Sequence, residues 1–289
     1  MKKPQWITVL VAVLLIAGIF LFGRTVPNKK AIAPTTTVHS ADDGHNHGDV
    51  EAVSIDTILN LAKKQLSTEQ VVRLNTLENS ISRGDVNNQQ VHVYHQLARF
   101  WADSARVFEP YAWYTAEAAR LENSEKTLTF AARLFLENLQ NEETDQLRKW
   151  KALQAKDLFE RSLSINPAND SAKAGLGAAY LFGNISTNPM EGLAKIREVV
   201  QKDSTNLYAQ MLLVKGAVLS GQYDKAIDRL KTVNAIDANN VEAILLLADL
   251  NERMGDKVTA AAWYQKSLQH VKLPEARKAI EKRIEELRK

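Results

Sequence analysis

Three imidazoles and three carboxylates crowd eleven residues near the start of the chain, His39-Ser-Ala-Asp-Asp-Gly-His-Asn-His-Gly-Asp49. Nitrogen and carboxylate donors of this kind suit Zn, Ni or Cu, and a mobile segment could fold round such an ion through His39, His45 and His47. The same residues equally make a soluble polar spacer, since the pattern shows no fixed geometry and no supporting shell of hydrogen bonds; no metal or other cofactor is assigned. His92 and His95, three apart on a helix, could share a metal but read rather as a surface or interface pair. Gly175-Leu-Gly177 fails the dinucleotide fingerprint, because Tyr180 stands where the third glycine is needed and the segment reads as helix rather than as the end of a strand. No Walker motif, His-Glu-x-x-His or Gly-x-Ser-x-Gly occurs. Glu142 and Glu143 flank a turn and are expected on a solvated face. Trp101, Trp113 and Trp150 fall in helical apolar patterns and are expected in the core.

Cysteine is absent. That excludes disulfides, thiolate-bound zinc or iron–sulfur centres, thiol catalysis and attachment of a lipid to an acceptor cysteine. Catalysis is thus left without a candidate residue. The net charge of +3 divides unevenly: residues 1–49 carry five Lys and Arg against three Asp, and the other 240 residues carry 32 basic and 31 acidic side chains. A nearly neutral body has no dominant basic face for phosphate backbones, so nucleic acid is not expected as a partner.

The elements that would position any site begin with residues 5–23, QWITVLVAVLLIAGIFLFG, an uncharged stretch between Lys3 and Arg24. At about 1.5 Å per residue, some 20 residues of helix span roughly 30 Å, the hydrocarbon thickness of a bilayer. Ala31-Ile32-Ala33 has the form of a cleavage site but lies behind Lys29 and Lys30, and the apolar run is longer than that of a signal peptide. Residues 1–24 therefore read as a single transmembrane anchor. Lys2 and Lys3 on one side nearly balance Arg24, Lys29 and Lys30 on the other. The short amino-terminal end is expected in the cytoplasm and the large domain on the exported, periplasmic side of a bacterial inner membrane. Residues 25–50, rich in Pro, Thr, Ala, Asp, Gly and His, read as a flexible linker with a root-mean-square reach of roughly 28 Å.

Beyond the linker a period emerges. Segments 207–240 and 241–274 superpose without a gap: Ala209 on Ala243, Leu212 and Leu213 on Leu246 and Leu247, Gly221 on Gly255, Ala226 on Ala260. Each reads as a helix, a Gly-centred turn and a second amphipathic helix. The preceding unit carries Leu176, Gly177, Tyr180, Gly192, Ile196 and Val199 in the same register, with three extra residues in the turn Asn184-Ile-Ser-Thr-Asn-Pro; there Asn188 caps a helix begun by Pro189. Upstream, Leu97, Ala98 and Trp101 begin one helix and Ala112, Ala116 and Ala119 lie on the next. Ala132 follows Ala98 by 34 residues and leads to Ala155, Phe159 and Leu163, with an enlarged connection around Asn141–Gln146.

These residues resemble the tetratricopeptide-repeat (TPR) family, with Gly177, Gly221, Ala226, Ala248, Gly255 and Ala260 at the small positions where paired helices cross or turn. Together with the apolar amino-terminal run, the chain resembles bacterial single-pass, membrane-anchored TPR proteins. Departures are the missing first-helix Trp, Val214 in place of a small residue, Asn251 in place of Tyr, and a closing proline only at Pro167. The resemblance implies an all-α, right-handed superhelical solenoid of about five repeats over residues 89–274. Two flanking helices within 51–88, broken at Leu66–Glu69 where Ser67 or Thr68 is the cap, would precede it, and a charged capping helix would close it over 275–289.

The resemblance further implies a concave face lined by the first helix of each pair. Its outward positions would be Ser171, Ala174, Ala178, Leu181 and Phe182; Tyr208, Met211, Lys215, Val218 and Leu219; then Glu242, Leu245, Asp249, Glu252 and Arg253. Phe182, Tyr208, Met211, Lys215, Glu242, Asp249 and Arg253 are the candidate contacts for a protein partner; the alternative for Tyr208 and Met211 is that they simply pack against neighbouring helices. The Lys and Asn clamp with which some members hold a peptide carboxylate is missing, since Ala178 and Asp249 stand in register with Lys215. The expected function is a non-enzymatic, membrane-anchored scaffold for protein–protein interaction in envelope assembly or secretion, with no small-molecule substrate. Metal handling by the His-rich linker is the alternative.

Overall fold

Asparagine starts one helix after another. Asn169, Asn206 and Asn240 each accept, through Oδ1, the main-chain N–H three residues ahead, from Ala172 at 2.9 Å, Ala209 at 3.0 Å and Ala243 at 2.9 Å. Three residues before each cap, Asn166, Asp203 and Asp237 accept the N–H of Ala168, Thr205 and Asn239, folding the entering chain into a tight turn. The motif Asn/Asp-x-x-Asn thus satisfies orphan donors where each of these three repeats begins. The exits from the first helices are equally local. Gly221 and Gly255 take φ of +71° and +85°, and the next residues return hydrogen bonds of 2.8 Å from Gln222 N–H to the Ala217 carbonyl and 2.9 Å from Asp256 N–H to that of Asn251. This is the glycine-ended helix terminus that a β-carbon would strain. Asn184, at φ +51°, takes the same left-handed conformation in the preceding unit.

The computed structural model describes residues 51–81, 87–186 and 188–289, which belong to one unit running Gly48–Lys289. Its helices are α1 (Ile55–Lys63), α2 (Thr68–Ile81), α3 (Asn87–Arg99), α4 (Phe108–Glu122), α5 (Glu125–Leu139), α6 (Asp145–Ile165), α7 (Asp170–Phe182), α8 (Pro189–Lys202), α9 (Leu207–Leu219), α10 (Tyr223–Ile236), α11 (Val241–Arg253), α12 (Lys257–Ser267) and α13 (Pro274–Leu287). The described elements are all helical. The break before α2 falls where expected: Ser67 Oγ accepts Gln70 N–H and Gln70 Oε1 accepts Ser67 N–H, a reciprocal capping box. Asn188 accepts Met190 N–H ahead of Pro189 at the start of α8. The apolar run at 5–23 and the histidines at 39, 45 and 47 lie outside the described residues. Among the described residues no helix is long and apolar enough to cross a membrane, and no three His, Asp or Glu side chains converge as a metal site.

Helices pair as α3–α4, α5–α6, α7–α8, α9–α10 and α11–α12, and each pair packs on the next. First helices also touch first helices, α5 with α7 and α7 with α9, so one face of the array is built from them. At the crossing of α7 on α8 two glycines face each other. A β-carbon on Gly177 would lie 2.5 Å from the Gly192 carbonyl oxygen, and one on Gly192 would lie 2.3 Å from that of Gly177. Ala226, Ala248 and Ala260 are fully buried at the later crossings. The first pair differs from its expected form. Its first helix begins at Asn87, so Leu97 and Ala98 sit in its later half, and it continues as a π-helical turn over Phe100–Ala105. That wider turn carries the adjacent Phe100 and Trp101 into the core together, rings edge-on at 5.4 Å, before Arg106 reverses the chain in the left-handed region. Trp150 is also core, whereas Trp113 is half-buried beneath the Arg120 guanidinium.

One charged cluster is interior. Lys151, only 2% exposed, donates from Nζ to Asn138 Oδ1 and Glu142 Oε2, both at 2.6 Å, and lies 3.0 Å from Glu109. Glu142 is therefore not on a solvated face: it is largely buried, and it also accepts Thr144 N–H. Partial burial pushes its carboxyl pKa up, but the hydrogen bonds and charge of Lys151 and the Thr144 N–H outweigh this and hold it below the ordinary glutamate value. At the other end α13 docks through Arg283, whose guanidinium pairs with Glu252 in company with the Tyr264 hydroxyl. Glu252 is thus committed to the terminal helix rather than to an open face, and the arginine holds its pKa down.

Two outcomes are expected. Ala248→Leu lowers stability by roughly 1–3 kcal/mol in a denaturant melt, because its site admits no added methylenes. Lys151→Met costs about 3 kcal/mol by stranding its acceptors. A folded-state pKa held low contributes stability that is complete above the unfolded glutamate value of about 4.3 and is lost as pH falls through the folded one. Melts of Glu142→Gln should therefore lose less stability than wild type on acidification through that window.

Candidate functional groove

The candidate contacts from sequence separate into three groups. Met211 is 8% exposed and belongs to the core with Val214, Leu230 and Leu247. Tyr208 lies beneath the Arg133 guanidinium, 4.5 Å from the ring centroid, with a buried and unpartnered hydroxyl; burial pushes its pKa up to about 12. Met211 offers no surface and Tyr208 only part of its ring, because α9 packs against α7, α8 and α10. Ala174 and Ala178, expected to point outward, are likewise fully buried. Asp249 and Arg253 are partly exposed and pair with each other at 2.8 Å along one turn of α11.

Phe182, Lys215 and Glu242 do come together. They line a groove of about 590 Å³ with Leu181, Val218 and Leu219, which the sequence also placed outward, and with Leu139, Tyr180, Val214 and Leu246, which it did not. The carboxyl-terminal ends of α5, α7 and α9 and the start of α11 form its walls, so it lies where successive first helices meet. Its remaining lining comes from Gln140 and Arg148, at the enlarged α5–α6 connection, and from Asn184 and Pro189, at the lengthened α7–α8 turn. Both places where the repeat departs from its 34-residue period therefore border the groove. That departure was visible in the sequence, and insertions in a repeat array collect on one face.

The groove is chiefly apolar with a sparse polar rim. Leu219 is 69% exposed, a large aliphatic side chain left in water at the end of α9. Lys215 Nζ lies 3.4 Å from Glu242 Oε1, and the glutamate is 57% exposed. Arg148 donates to Asp145 Oδ1 at 2.8 Å and to the Glu142 carbonyl oxygen, which fixes its guanidinium at the rim. The Tyr180 hydroxyl approaches Glu160 at 3.5 Å; burial, with the carboxylates of Glu160 and Glu191, raises its pKa against the pull of Lys156.

A second hydrophobic feature sits on α5. Phe130 is 59% exposed and divides two smaller grooves, one of about 330 Å³ shared with α3 and α4 and one of about 510 Å³ shared with the start of α7. His95 borders the first, bonded to Glu122 at 2.7 Å, whereas His92 faces Gln96, so the two histidines serve different partners.

The family model for the tetratricopeptide repeat matches residues 217–282. Among solved structures, MamA residues 41-end from Desulfovibrio magneticus RS-1 is 22% identical, covering 64% of this chain and 95% of its own, with a TM-score of 0.42. The thermophilic TPR protein TTC0263 of Thermus thermophilus is 17% identical, covering 70% and 98%, with a TM-score of 0.48. No curated protein matches the chain. The matched segment takes in the end of α9, all of α10 to α12 and much of α13. The segment 217–282 is thus similar to the tetratricopeptide repeat, and small residues meet in the same way at the α7–α8 crossing upstream of it.

Proposed function

We propose that this protein is a non-enzymatic scaffold that holds a protein partner on the face built from its first helices, with the groove between Phe182 and Glu242 as the principal contact. The observation that carries this reading is the groove itself: an apolar trough bordered by both irregular connections, with Leu219 exposed in its wall. Exposed large apolar side chains gathered in a concavity mark contact surfaces more often than solvated ones. The uncharged run at 5–23 supports a membrane anchor, and the linker after it supports a tether that leaves the array free to engage its partner near the bilayer. On this reading the array works on the exported side of a bacterial inner membrane, in envelope assembly or secretion.

A photo-crosslinking residue at Val218, in native membranes, should yield a discrete adduct with another protein, while the same residue at Lys231 on exposed α10 should not; adducts of equal yield at both would refute the groove as the contact. A reporter active only outside the cytoplasm, fused after Lys289, should be active. Activity only from a cytoplasmic reporter at that position would reverse the topology.

A further inference from the structure

We infer that Arg197 and Arg229 together bind a dianionic phosphate group between the second helices α8 and α10, at a place the scaffold reading does not use. Both helices pack on α9, which carries Gln210. The Gln210 side chain, 4% exposed, donates from Nε2 to the Ser204 carbonyl oxygen at 3.0 Å and accepts Arg229 Nη1 on Oε1 at 3.2 Å. A buried carboxamide thus fixes the Arg229 guanidinium and leaves its other N–H groups to donate elsewhere. The fold itself does not require this polar pair. One period of 34 residues further on, Ile244 and Trp263 stand in the places of Gln210 and Arg229; Ile244 is fully buried, and Trp263 packs against the adjoining core.

No carboxylate answers the two arginines. Among the described residues neither pairs with Asp or Glu, and the acidic groups beside them in sequence are engaged elsewhere: Glu198 with Lys173 at 2.7 Å, Asp228 with Lys231 at 3.7 Å, and Asp203 with the Thr205 N–H and hydroxyl. Arg197 is exposed on α8 and Arg229 is half-buried on α10; burial, and then the charge of Arg197, pull the Arg229 pKa below the ordinary guanidinium value. Two cations held near each other without a counterion repel, and an anion placed between them removes that cost. A phosphate monoester carries about 1.5 to 2 negative charges at neutral pH and matches the planar N–H fork of arginine. A carboxylate brings a single charge and would leave half of the repulsion in place. Free phosphate and the headgroup of phosphatidic acid share the chemistry that the site selects.

Thermal melts of the full chain in a nonionic detergent, with chloride exchanged for inorganic phosphate at constant ionic strength and mildly alkaline pH, test the site. The melting temperature should rise saturably with phosphate and not with acetate. Arg197→Gln, a change at an exposed position, should melt above wild type in chloride because the repulsion is gone, and should lose the phosphate-dependent rise. Arg197→Glu places a carboxylate beside Arg229 and should show both effects more strongly. Arg229→Gln should weaken phosphate binding about tenfold in isothermal titration. A second arm adds phosphatidic acid to the micelles. A larger rise than with free phosphate, lost in Arg197→Gln, identifies the lipid headgroup as the source, and a smaller or absent one identifies free phosphate. No saturable rise in either arm, an equal rise with acetate, a rise that survives in both Arg197 variants, or an Arg197→Gln chain less stable than wild type in chloride would overturn the inference.

Discussion

The array depends on how closely two helices of a pair can approach. At α7 and α8 the limit is backbone against backbone, with Gly177 and Gly192 each leaving no room for a β-carbon beside the other's carbonyl. Buried alanines set the approach at the later crossings, where Ala226, Ala248 and Ala260 are inaccessible to solvent. Such contact lets each pair present a broad apolar flank to the next, and the flanks of successive pairs join into a nearly continuous core. Because each unit cannot bury its stripe alone, a change at one crossing is felt by its neighbours.

That constraint also explains where a surface remains available. The groove opens where the connections α5–α6 and α7–α8 depart from the compact turn used by Gly221 and Gly255, and the longer chain there supplies rim residues. The buried Lys151 of α6 sits behind the first of these connections and ties α6 both to Glu142 of the connection and to Glu109 of the preceding pair. An interior ammonium with two carboxylates is a demanding arrangement, stable only while all its members are in place. It holds an enlarged loop against the array and so steadies the base of Arg148, which Glu142 also engages through its main-chain carbonyl.

Much of the repeat was legible before any coordinates. Spacing of 34 located Gly221, Gly255, Ala226 and Ala260, and the chemistry of Ser67, Asn188 and Pro189 located two helix starts. The recurrent Asn/Asp-x-x-Asn was present in plain form at 166–169, 203–206 and 237–240 but is a polar signal, which a search for apolar periodicity passes over. The π-helical turn left no comparable trace, since Phe100 and Trp101 are adjacent in a helix and only a local widening brings both rings inward.

The candidate contacts show the boundary between the two kinds of information. Local sequence determined which helix of each pair carries a residue and roughly which way it points, because helical period and caps are short-range properties. It therefore put Phe182, Lys215 and Glu242 among the outward positions, and these line the groove. Whether an outward residue meets water or another helix depends on neighbours 30 or more residues away. Tyr208 was covered by Arg133 of α5, and Glu252 was taken by Arg283 of α13. Contacts between pairs, and the groove left where their connections lengthen, were decided by the tertiary structure because they arise from packing between units that no single period encodes.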